Sequence, residues 1–235
     1  TAKTLSLGSS GNANRNGLAF DGQGNLWASD PGNHRVLRYP PRQLTPNKTD
    51  PEADLVLGQN DFVTGTLRPA TQAEPALTNK STLTNPSGIA FDQAGRLYVC
   101  EGSPRVSVWT PPFRQGGQAT RLLGIIVAVQ GQPVPTLNAT RLGSALGPPE
   151  GVFAIGNNPF VIDTANHRIL RYDAPETWPA ETDTVISPAA VEVIGQADFV
   201  SGESNRGSRG DAAGDRFTLP VAAAVSGTDV WIVDS

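Results

Sequence analysis

The stretch GLAFDGQGNLWASDPGNHRVLRY occupies residues 17–39, and its reading decides the fold. Apolar and polar or small residues alternate in short bursts, Leu-Ala-Phe, then Leu-Trp-Ala-Ser, then Arg-Val-Leu-Arg-Tyr, and a period of two is the mark of strands. Asp21, Gly22, Gln23 and Gly24 between the first two bursts are tight-turn residues, so those two strands form a hairpin. A loop at residues 30–34 leads into the third. A fourth burst, Asp54-Leu-Val-Leu-Gly, follows a Pro-rich connection. The unit is therefore a small antiparallel sheet of four strands.

The phrase is repeated. GIAFDQAGRLYVCEGSPRVSVW starts at Gly88, GVFAIGNNPFVIDTANHRILRY at Gly151, and a shorter copy, AAAVSGTDVWIVDS, near Ala222. A repeat this long, written in strands, implies a stacked or radial array, and four antiparallel strands per unit is the make-up of a β-propeller blade. KTLSLG at 3–8 resembles ADLVLG at 53–58 and reads as the outer strand of a preceding blade. The expected organisation is one all-β propeller domain over 1–235. It comprises an outer strand at 1–8, blades at 16–60, 85–130 and 148–197, and the start of another at 219–235. With strands alternating in direction, the loops between second and third strands share a face with the connections between blades. The connections near 58–88 and 195–222 are far longer than usual, which makes that loop-rich face the expected place for binding.

Composition narrows the function. There are 25 Gly and 20 Pro among 235 residues, the balance of a turn-rich protein, and no apolar run reaches the length of a membrane span. The net charge of −4 argues against nucleic acid as a partner, because such binding rests on phosphate neutralisation by Lys and Arg. A single cysteine, Cys100, makes neither an internal disulfide nor a cysteine-built zinc site. The chain contains no Met and begins with Thr1, which implies a processed or trimmed chain.

Asp30 with Arg35, and Asp163 with Arg168, each stand across one hairpin, close enough for a charge-assisted pair that pins it. His34 and His167 are the two histidines of the chain and fill the same slot of separate blades. One ligand per blade does not converge on a point, so a metal is not expected there, and no other cofactor is implied. No nucleophile elbow, zinc-protease motif or phosphate-cradling loop is present, and no catalytic residue is nominated. Arg-Gly-Asp at 209–211, the acidic pair Asp211 and Asp215, and sequons at Asn47, Asn79 and Asn138 are short enough to arise by chance.

The pattern resembles the NHL-repeat β-propellers, carried by the Asp30, Asn33, His34, Arg35 and Asp163, Asn166, His167, Arg168 sets. LGQNDFVTG at 57–65 and IGQADFVSG at 194–202 resemble bacterial members with long blades. The resemblance implies a fragment of a six-bladed ring from a bacterial protein that is secreted or periplasmic. Copy two departs from it: Glu101 replaces the Asp, Asn and His are absent, and the loop is one residue shorter. That departure nominates Glu101 and Arg105 as ligand contacts. The expected function is a non-catalytic binding or scaffold module for a protein, peptide or glycan, using the loop-rich face, with self-association through open blade edges. The alternative is a metal-dependent lyase or hydrolase with its site in the axial channel.

Overall fold

The computed structural model of the chain describes residues 16–67, 78–128, 131, 133, 137–143, 147–208 and 213–235. In blade 1, β1 (Leu18–Phe20), β2 (Leu26–Asp30), β3 (Arg35–Tyr39) and β4 (Leu55–Leu57) pair antiparallel in chain order. Blade 2 repeats this with β5 (Ile89–Phe91), β6 (Leu97–Cys100), β7 (Val106–Trp109) and β8 (Arg121–Leu123). Blade 3 follows with β9 (Gly151–Ile155), β10 (Asn158–Asp163), β11 (Arg168–Arg171) and β12 (Glu192–Ile194). β13 (Pro220–Ser226) and β14 (Asp229–Asp234) form a two-stranded sheet. The outer strand expected at 1–8 lies outside the described residues.

The first strands of successive sheets, β1, β5, β9 and β13, stand side by side, so the sheets radiate from them as propeller blades. Alternation then gives each blade two buried faces. In β6, Leu97 and Val99 pack toward blade 1, while Tyr98 and Cys100 pack toward blade 3. This is why copy two reads as a nearly continuous apolar run there. Trp27 reaches across from blade 1 and meets Phe91 edge-on at 5.6 Å and Phe113 at 4.9 Å. Phe153 stacks on Phe160 at 4.8 Å beside Ile162, and these pack against Val230 and Ile232 of the two-stranded sheet. Each such large side chain contributes about 1.5–3 kcal/mol by leaving water.

Glycine at the start of the first strands has a packing cause. A Cβ on Gly17 would lie 2.5 Å from the Ser87 carbonyl oxygen, and one on Gly88 would lie 2.6 Å from that of Glu150. The backbones of adjacent inner strands touch, and only the missing side chain permits it. At the outer edge, the loop between the third and fourth strands covers the preceding blade. Gly116 N–H donates to the Val56 carbonyl at 2.9 Å, and Val56 N–H donates to Gln115 Oε1 at 3.1 Å.

Candidate functional site

The repeated polar residues hold the blades. Asp30 and Arg35 are register partners, with Nε donating to Oδ2 at 2.7 Å, and Arg168 does the same to Asp163 at 2.8 Å. All four side chains are buried. Each guanidinium then reaches further: Arg35 Nη1 donates to the Phe62 carbonyl and Arg168 Nη1 to that of Phe199, both at 2.7 Å. Phe62 and Phe199 belong to the two G-Q-x-D-F segments, so one side chain ties the hairpin to the connection that follows the fourth strand. Gln59 and Gln196 secure the same segments, donating to Thr66 O at 3.0 Å and to Glu203 O at 2.9 Å. Burial of so many charged and polar groups is tolerated because each charge meets a charge or a carbonyl.

Blade 2 reaches the same end with different residues. Glu101 takes Arg105 on both oxygens, Nε to Oε1 at 2.9 Å and Nη2 to Oε2 at 3.0 Å, and Arg105 also donates to the Asn79 and Thr82 carbonyls. The extra methylene of Glu makes up for the shorter loop. Glu101 and Arg105, nominated from the sequence as ligand contacts, are each 0% exposed, so an outside ligand does not reach them in the folded blade. Their departure from the repeat is an internal repair.

His34 and His167 both adopt the left-handed conformation at φ 53° and bridge to the next blade. His34 Nδ1 accepts from the Asn85 N–H at 3.2 Å, whereas His167 Nδ1 meets the Thr218 carbonyl and must donate. Burial lowers the His34 pKa, with Asp30 pulling the other way. Cys100 is buried, and burial with the nearby Glu101, Glu150 and Asp163 charges keeps it a thiol, a poor nucleophile. Among the described residues no three His, Cys, Asp or Glu side chains come together as a metal site. Asn79 is buried and Asn138 Oδ1 caps the Thr140 and Arg141 N–H groups, while Arg-Gly-Asp at 209–211 lies outside the described residues.

A ligand-sized space lies at the opposite end of the blades. Where the turns between first and second strands emerge, blades 1 and 2 bound an open groove of about 540 Å³. Asp21 and Gln23 come from the blade 1 turn, Gln93 from the blade 2 turn, Arg38 from β3, and Pro111, Pro112 and Phe113 from the loop after β7. Phe113 joins the aromatic cluster with Trp27 and Phe91, which gives the groove an apolar wall. Arg38, which lines the groove, gives its Nε to Asp54 at 2.8 Å and has its guanidinium carbon 5.7 Å from the Trp27 ring centre. Burial by itself would raise the Asp21 pKa, yet hydrogen bonds from Asn25, Trp27 and Gln23 outweigh it and hold the carboxyl below its ordinary value. Asp21 therefore stays ionised and fixes both the turn and the indole behind Arg38. Sequence reasoning passed over Arg38; the second arginine of RVLRY, repeated as Arg171 in RILRY, was the available signal.

No family model matches the chain, and no curated protein matches it. Among solved structures it is similar to a virginiamycin B lyase of Staphylococcus aureus at 13% identity and TM-score 0.40, over 92% of this chain and 47% of that one. An aldose sugar dehydrogenase of Streptomyces coelicolor matches at 16% and 0.43, over 97% and 58%. A gluconolactonase of Xanthomonas campestris matches at 12% and 0.37, over 93% and 68%. The chain thus spans about half the length of the lyase and the dehydrogenase. These proteins share the propeller arrangement and are enzymes, which corrects the expectation of a non-catalytic binding or scaffold module. Among the described residues no helix is long and apolar enough to cross a membrane.

Proposed function

We propose that the chain is part of a propeller enzyme, a hydrolase or lyase that opens a compact, oxygen-rich ester or lactone in the groove between blades 1 and 2. The observation that carries the reading is Arg38, a guanidinium held through Nε by Asp54 that lines a groove of about 540 Å³, within the size range of small-molecule sites. Gln23 and Gln93 supply amides for hydroxyl groups, and Pro111, Pro112 and Phe113 supply an apolar wall for the carbon face of a ring. In hydrolysis, water adds to the acyl carbon, the bond to the ring oxygen breaks, and a hydroxy acid leaves with release of one proton. Arg38 donates to the carbonyl oxygen as it gains negative charge, a contribution that fixed donors make most strongly in the transition state. The described residues offer no donor set for a metal, so no step is routed through one. The reading also takes the arc as part of a larger ring of NHL-type blades, on the strength of the repeated Asp, Asn, His and Arg hairpin.

Titrating the acid released from a panel of aldonolactones and cyclic esters tests this. Turnover above the uncatalysed rate is expected, falling roughly a hundredfold in Arg38→Gln, and a mass gain of one water marks hydrolysis rather than elimination. No acid release from any substrate of the panel, or undiminished release by Arg38→Gln, would overturn it.

A further inference from the structure

The two walls of the groove are held by different means. The blade 1 turn keeps its hydrogen bonds within its own hairpin: the Gln23 and Asn25 N–H groups donate to Asp21 Oδ1 at 2.9 and 3.0 Å, and the Trp27 indole donates to Asp21 Oδ2 at 2.8 Å. A Cβ on Gly22, at the tip of that turn, would meet nothing within 4 Å. The blade 2 turn, in which Gln93 stands where Gly22 stands, is gripped from behind by the turn between β9 and β10 of blade 3. Gln93 N–H donates to the Gly156 carbonyl at 2.9 Å, and Ala94 N–H donates to Asn157 Oδ1 at 3.0 Å. The Gln93 side chain lies against the same turn, since a Cβ on Gly156 would come 3.8 Å from Gln93 Oε1. Arg96 closes the blade 2 turn onto Asp92 through its N–H at 2.9 Å and its Nε at 2.6 Å, then gives Nη1 to Glu176 on the loop after β11. Gly156 and Asn157 are not among the groove's lining residues, whereas Gln93, Ala94 and Gly95 are.

We propose, on the reading of the groove as a lactone site, that Asn157 is a positioning residue for its ligand: from the next blade it holds the Asp92–Gly95 turn so that Gln93 meets the hydroxyl groups of the lactone at a fixed place. A hydrogen bond weakens steeply with misalignment, and a group supported by a second layer of bonds keeps its placement where a free turn does not. The consequence is selectivity. The pinned turn favours a hydroxylated ring over a bare one, and Asn157 acts on binding without touching the ligand.

Steady-state hydrolysis of a polyhydroxylated lactone, glucono-δ-lactone, and of a bare one, δ-valerolactone, by the wild type, Asn157→Ala and Asn157→Asp tests this. Gly156 supplies the left-handed backbone of the blade 3 turn, at φ 60°, so Asn157 can be replaced with the hairpin kept, as circular dichroism should confirm. Asn157→Ala removes the acceptor of the Ala94 N–H and should raise KM for glucono-δ-lactone roughly tenfold, the worth of about one well-placed hydrogen bond, with kcat near the wild-type value. KM for δ-valerolactone should not move. Asn157→Asp, which keeps an accepting oxygen at the same place, should restore the wild-type KM, and exchange of the Ala94 amide hydrogen should quicken in the alanine variant alone. Equal effects on both lactones, no effect on either, or an aspartate variant as impaired as the alanine one would overturn the role of Asn157 and leave the lactone reading standing. A wild type that turns over neither lactone would overturn that reading itself, and the role of Asn157 with it.

Discussion

Gly88 stands against the carbonyl of Glu150 so closely that a Cβ would lie 2.6 Å from the oxygen and 2.8 Å from the Gly151 Cα. Two backbones, neither able to yield like a flexible side chain, meet there. Gly88→Ala must push inner strands β5 and β9 apart and should cost about 1–3 kcal/mol, the range for overpacking a filled site. Gly22→Ala, where nothing lies within 4 Å, is the control and should be neutral or slightly stabilising. Urea unfolding of both variants measures the contrast; equal midpoints would mean that the inner strands are not in contact.

Glu101 in blade 2 cannot be shortened to match the other blades. With the loop one residue shorter, Asp at this position would not reach both Nε and Nη2 of Arg105, nor the Thr84 N–H that donates to Oε2 at 2.9 Å. Glu101→Asp should lose about 1–3 kcal/mol, the cost of leaving buried polar groups short of a partner. An unchanged unfolding midpoint would show that blade 2 re-forms its hairpin around the shorter side chain.

The His34 bridge to Asn85 makes stability depend on pH. Burial holds the His34 pKa below its ordinary 6.5, and protonating Nδ1 removes the acceptor for the Asn85 N–H. The unfolded chain therefore takes up a proton that the folded chain resists. The contribution is complete above pH 6.5 and is lost as the pH falls through the lower folded value. Stability of the wild type should fall from pH 7 to pH 5 more steeply than that of His34→Gln. Parallel profiles would contradict the bridge.

Cys100 is buried between blades 2 and 3 with its thiol pKa pushed up. An aromatic disulfide reagent should label it no faster than the protein opens, and denaturant should raise the rate steeply. Prompt labelling of the native protein would place this thiol at a surface.

Much of the fold could be read from the letters because it is built from local rules used repeatedly. Alternation and turn residues place strands at 18–20, 26–30, 35–39 and 55–57 in blade 1, within a residue or so of the expected bounds. What the letters hide is convergence over distance. Arg35 reaches Phe62 and Arg168 reaches Phe199, bonds spanning 27 and 31 residues, and only the repeated G-Q-x-D-F hinted at a common task. The groove is harder still, since Gln23, Arg38, Gln93 and Phe113 come from separate turns and strands, and no local pattern joins them. Copy two misled for a related reason: its odd Glu and short loop compensate each other inside the blade, which looks from outside like diversion to a new role.

The central claim is that the repeated charged pairs and their histidines hold blades together. Urea unfolding of Arg168→Ala tests it most directly. Asp163 would be left buried without its guanidinium, and the Phe199 and Arg141 carbonyls would lose their donors. The account predicts a loss of about 3–5 kcal/mol, the cost of breaking a buried pair from one side. An unfolding midpoint equal to that of the wild type would contradict it.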